Sequence, residues 1–134
     1  MSDDPTTAEE RAERGRALMV DMLGEELVDR IARRNTIAPN WQRWTTEVLF
    51  GDMWHDATLP LKTRSMITIA ALLPTARARE LENHIRAAIH ANGVSVEEVL
   101  AVIQHVGFYA GWPSVGEALS IVDRIITEKK SAEV

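Results

Sequence analysis

Nowhere does this chain alternate β-branched and aromatic residues at period two for the length of a strand, so its backbone hydrogen bonds have to be met inside helices. The helix punctuation agrees. Thr7 followed by Glu10 is a capping-box pattern that opens a helix through AEERAERGRALMVDML, with Gly24 as its stop. A second helix, EELVDRIARR, carries Leu27, Val28 and Ile31 on one face, and both read as peripheral amphipathic helices. In IAPNWQRWTTEVLFGDMW, Asn40 after Pro39 reads as an N-cap and Gly51 as a stop.

Pro60 suits the first turn of LKTRSMITIAALL, a helix that Pro74 closes. ARARELENHIRAAIHANG follows and ends at Asn92 and Gly93. Ser95 with Glu98, and Ser114 with Glu117, are two further capping boxes opening the last two helices. The expectation is an all-α fold of about six helices in one domain over residues 1–134, with loose ends at 1–6 and 129–134.

Composition narrows the function classes. A net charge of −5, with arginine and lysine interleaved among acids, argues against nucleic acid as a partner. No apolar run of about 18 residues exists and the N-terminus lacks a signal-peptide pattern, so the expectation is a cytoplasmic protein with no membrane partner. Cysteine is absent, which removes disulfides, thiolate metal sites and thiol nucleophiles. Of the four histidines, His84 and His90 are six apart on different helix faces, and His55 and His105 have no local ligand partner. No metal site is expected.

Glu80 and His84 are four apart and therefore neighbours on one helix face, as are His105 and Tyr109. A carboxylate beside an imidazole orients it and raises its pKa toward working pH, which suits acid–base duty; the same spacing also describes an ordinary surface ion pair. Arg64, a lone guanidinium at the head of an apolar helix, reads either as a first-turn residue in solvent or as a two-pronged carboxylate clamp. Trp41, Trp44 and Trp54, three of the four tryptophans, cluster near Phe50, Asp52 and His55. They read as core, or as the apolar wall of a small-molecule pocket.

Three stretches in order, FGDMWHDATLPLKTRSMITIAALL, ELENHIRAAIHANGVSVEEVLAVIQH and FYAGWP, together resemble the carboxymuconolactone decarboxylase family, and LGEELVDR resembles its N-terminal part. A related branch, the alkylhydroperoxidase D-like proteins, carries Cys-x-x-Cys followed by a histidine on the equivalent helix. His84 matches that histidine, while Arg77 and Glu80 stand where the cysteines would be. With no thiol available, peroxide reduction lacks its nucleophile and the decarboxylase-like branch remains.

The resemblance implies an all-helical subunit in a homotrimer or homohexamer, without cofactor, acting on a small carboxylic acid or lactone. It implies release of carbon dioxide from an unsaturated lactone acid, the substrate itself receiving the electrons as a dienolate. On that reading Arg64 binds a carboxylate or oxyanion, His84 returns the proton, and Glu80 or Glu47 orients His84. Trp44, Asp52, Trp54, His55, His105, Phe108 and Tyr109 would line the substrate pocket. The segment before Gly51 reads TEVLF, where the pathway enzymes of the family carry a histidine and an arginine, which favours a different substrate more than a different fold. The alternatives are a lactone or keto-acid isomerase or decarboxylase of another pathway, and a non-catalytic oligomeric binding protein.

Overall fold

A computed structural model of the chain describes residues 7–133. Among them there is no strand, as the pattern requires. Seven α-helices, joined by short 3-10 and π turns, form two compact units divided between Leu61 and Lys62.

The first unit holds α1 (Ala8–Leu23), α2 (Glu25–Arg34) and α3 (Pro39–Trp44), with α3 running into a π-helical turn over Thr45–Leu49. The capping box of α1 is complete: the Glu10 amide donates to Thr7 Oγ1 and the Thr7 amide to Glu10 Oε2, each at 3.1 Å. Gly24 at φ 84° breaks the chain between α1 and α2. In the π turn the Phe50 amide reaches back five residues to Thr45 O at 3.1 Å.

Contrary to the peripheral reading, α1 is the packing partner of that turn. It lies so close that a Cβ on Gly15 would run into Thr46 O and come within 2.8 Å of Gly51 N. A Cβ on Gly51 would meet Glu47 O and Arg11 O. Two helical segments touch backbone to backbone, and both contact positions are glycine. Leu18, Met19, Met22, Phe50 and Trp54 are the unit's buried apolar residues beside Val28 of α2. Asn40 does not cap α3: the helix begins at Pro39 with Ala38 before it, because proline is preorganised for the first helical position.

The second unit holds α4 (Leu61–Leu72) from its second residue on, α5 (Ala78–His90), α6 (Val96–Ala110) and α7 (Pro113–Ala132). Its core is aliphatic, built on Ile69, Ile85, Val99, Ile103 and Ile121; burial of each contributes about 1.5–3 kcal/mol. Gly107 lets α7 approach α6, since a Cβ there would strike Val115 Cγ2. Across the outer face of α5 and α7, Arg86 donates both guanidinium arms to Glu128 at 2.7 and 3.0 Å, and Arg124 pairs with Glu82.

Ser95 caps α6 as expected, accepting from the Glu98 amide at 3.0 Å. Ser114 does not cap α7, because Pro113 takes the first helical position and the helix begins two residues before the Val115 start that a Ser114 cap implies. Helix α7 continues through Ala132, and the expected loose ends at residues 1–6 and 134 lie outside the described residues.

Candidate active site

Helix α5 sets Glu80 in its first turn and His84 one turn further on. Glu80 is exposed, whereas His84 is half-buried and its Nδ1 is enclosed. Burial pushes the His84 pKa below the usual 6.5, and the Glu80 charge opposes that push without overcoming it. The neighbouring carboxylate does favour the imidazolium, as the spacing suggests. The net direction is nevertheless down, because desolvation is the larger effect.

Arg64 sits in the first turn of α4, half-buried, with its Nε enclosed. A buried hydrogen bond from Asn92 Nδ2 to Ser65 Oγ, 2.8 Å long, ties that turn to the end of α5. Helices α4 and α5 are therefore antiparallel, with Arg64 near the end of α5 that lies away from His84. The helical rise between His84 and the Asn92 turn sets the backbone levels of the two residues apart by on the order of 10 Å. They stand at two levels of one helical hairpin.

On α6, His105 and Tyr109 pair as their spacing requires, with ring centroids 5.3 Å apart. His105 lines a shallow groove of about 460 Å³ with Met66, Ile67 and Ala70 of α4. Thr63, Met66, Ile67 and Ala70 turn one face of α4 to this groove, and neither Arg64, Glu80 nor His84 lines it. Phe108 and Tyr109 are 79% and 84% exposed, and Phe108 meets Trp112 edge-on.

The remaining candidates lie in the first unit. Trp44 lines an apolar hollow of about 370 Å³ with Trp41, Val48, Leu49 and Met53. Trp54 instead stacks on Phe50 at 5.8 Å in that unit's interior. Asp52 lies 3.6 Å from Arg11 and 3.9 Å from Arg14, and Arg14 also donates to Gly51 O through Nε and Nη2 at 2.9 and 2.6 Å. The Gly51-Asp52 pair thus has a local structural role, in which the glycine admits the helix contact and the aspartate balances two arginines. Glu47 lies 4.0 Å from Arg43 with its side chain 14% exposed. Burial, aided by the Arg14 charge, pushes His55 below its usual pKa against the pull of Asp52.

Arg11, Arg14, Ser65 and Asn92 were not legible as site or supporting residues, because each acts through a partner distant in sequence. Among the described residues no group of three His, Cys, Asp or Glu is placed to hold a metal, and no helix is long and apolar enough to cross a membrane.

The two lowered histidines carry a stability prediction. An unfolded histidine takes up its proton near pH 6.5, but His55 and His84 resist protonation until lower pH. Between those values the unfolded chain binds more protons, so stability is full above pH 6.5 and falls as pH drops through the folded-state pKa values. Thermal melts at pH 7.5 and pH 5.5 should show a lower midpoint at pH 5.5, and the drop should shrink in His84→Gln. An unchanged drop in that variant would remove His84 as its source.

Comparison with known proteins places these helices. The family model described as the carboxymuconolactone decarboxylase family matches residues 39–124, from α3 into α7. The chain belongs to this family. It is 32% identical over 121 residues to the 4-carboxymuconolactone decarboxylase of Acinetobacter baylyi, covering 90% of each protein. It is 31% identical over 132 residues to a nitrosuccinic acid decarboxylase of Metarhizium robertsii, covering 96% of this chain and 92% of that one. The expected family and all-helical class are both met. The matched stretch of the carboxymuconolactone decarboxylase family contains Glu47, Arg64, Glu80 and His84.

Proposed function

We propose that the protein is a cofactor-independent carboxy-lyase. Its substrate is a small dicarboxylic acid whose departing carboxylate is attached to, or conjugated with, an electron-withdrawing group of the substrate itself. The observation that carries this reading is the pair of relatives, almost equally similar to the chain, that are named for decarboxylating a carboxylated lactone and a nitro acid. The two compounds share no skeleton. They do share a second carboxylate and a group that receives the electron pair: the conjugated lactone carbonyl in one, the nitro group in the other.

The arrangement of the second unit suits such a reaction. Arg64 holds the retained carboxylate or the developing oxyanion through its planar fork. The electron pair of the breaking C–C bond moves onto the substrate's own acceptor as carbon dioxide leaves. His84, as imidazolium, then returns one proton to carbon and is recharged from solvent. Of the two carboxylates expected to serve His84, Glu80 is the one whose charge acts on it.

Assembly belongs to the same proposal. Ile67 on α4, Phe108 and Tyr109 at the end of α6, and Trp112 just before α7 are half-exposed or more, and a trimer or hexamer of the kind the family implies would cover them.

Carbon dioxide release by the purified protein, measured separately with 4-carboxymuconolactone and 2-nitrosuccinate, tests the reading. Turnover of either acid at a rate well above the uncatalysed one supports it and selects the acceptor. No release from either by a folded protein would sink the proposed substrate class.

A further inference from the structure

We propose that Ser65 and Asn92 are positioning residues for Arg64, forming a buried clasp that fixes the guanidinium relative to His84. This rests on the reading of Arg64 as the carboxylate-binding group.

The clasp is anchored on both sides. Asn92 lies in the turn that leaves α5, where its amide donates to Ala87 O at 3.0 Å. Gly93 at φ 75° then lets the Val94 amide return to Ala88 O, also at 3.0 Å. The backbone on either side of Asn92 is therefore tied to α5 before its side chain is considered. That side chain is turned inward and donates to Ser65 Oγ at 2.8 Å, with Asn92 8% and Ser65 1% exposed. Ser65 directly follows Arg64 in the first turn of α4. This bond crosses from α4 to the turn that ends α5, and it does so at the Arg64 level.

Apolar packing alone does not set this level sharply. The buried neighbours Ile69 on α4 and Leu73 just after it are aliphatic, and such surfaces tolerate sliding and repacking. A buried donor–acceptor pair does not: slippage by a fraction of a turn leaves an amide and a hydroxyl desolvated and unmet. The position of Arg64 along the hairpin, and with it the span to His84, is thereby held to one value. Function depends on that span because a ligand gripped by Arg64 has to present its reacting carbon to His84, and a displacement near 1 Å degrades such a geometry.

Two readouts test the clasp. The first needs no substrate: the Arg64 Nε–H signal in proton–nitrogen NMR should shift or broaden in Ser65→Ala, while that of Arg86, held by Glu128, stays in place. Asn92→Ala should do the same with a smaller loss of stability, since the Ser65 hydroxyl is then able to turn back to a carbonyl of its own helix. An unmoved Arg64 signal in both variants overturns the clasp.

The second readout is a double-mutant cycle on whichever acid the protein turns over. Ser65→Ala should lower kcat/KM about tenfold, with kcat falling as well, and should change kcat/KM less than twofold when added to Arg64→Ala. A full tenfold fall in the Arg64→Ala background overturns the proposal, since the effect would not pass through Arg64. If Arg64→Ala itself leaves KM unchanged while the NMR signal responds to the clasp, the carboxylate-binding role fails and the structural clasp stands.

Discussion

Gly15→Ala lowers the melting midpoint by roughly 10 °C or more, the largest stability effect expected of a single methyl group in this chain. The added carbon would overlap Thr46 O and sit 2.8 Å from Gly51 N. Both are backbone atoms at the π turn, so no side-chain rotation relieves the clash and α1 has to lift from its seat. Overpacking of this kind costs about 3 kcal/mol, the upper part of its usual range, and for a chain of this size that converts to the stated shift. Lifting α1 also loosens the grip of Arg14 on the Gly51 carbonyl.

Gly116→Ala is the control. It lies in α7 with open space where its Cβ would go, so the change should stabilise the helix by about 0.5–1 kcal/mol. Circular-dichroism melts of the two variants should move in opposite directions. A Gly15→Ala midpoint within 2 or 3 °C, taken as roughly the scatter of a melt, would show that the α1 contact is not tight.

His84→Gln reduces kcat on the turned-over acid by about 10²–10⁴-fold, the range for removing a positioned acid from a proton-transfer step. Glutamine keeps bulk and polarity, so the melting midpoint above pH 6.5 should change little. The wild-type pH profile follows from the direction of the His84 shift. Because burial holds its pKa below 6.5, kcat/KM should be level at low pH and fall as pH rises through that pKa. Glu80→Gln removes the one charge that favours the imidazolium, so the fall should move to still lower pH. A profile that stays flat from pH 5 to pH 8 in wild type, or a His84→Gln enzyme retaining a third of the activity, would take the proton from some other donor.

Helix identity was legible because it rests on neighbours in sequence. The Thr7–Glu10 and Ser95–Glu98 caps and the Gly24 and Gly93 stops are satisfied within a turn of backbone, and the structure shows all of them. Where two local signals competed, the reading went astray. Pro39 and Pro113 outranked Asn40 and Ser114 because a proline's fixed φ settles the first helical residue before any side chain has capped it.

The pairing of Glu80 with His84 was likewise written in the four-residue spacing, but not the direction of the histidine's pKa. Spacing supplies the charge, and burial is supplied by residues far along the chain. The buried stack of Trp54 on Phe50 is of the same kind, since nothing local distinguishes it from the half-exposed Trp44.

By itself the sequence determined an all-helical chain without thiol chemistry, most of its helix boundaries, and a candidate acid–base pair on one helix face. Each follows from side-chain type and a period of 3.6 residues. Tertiary structure alone decided that α1 seats on a π turn through Gly15 and Gly51, that Asp52 answers Arg11 and Arg14, and that Asn92 holds the helix turn bearing Arg64. Asn92 and Ser65 are 27 positions apart and Arg14 and Gly51 are 37 apart, so these contacts depend on helix packing that no local period encodes.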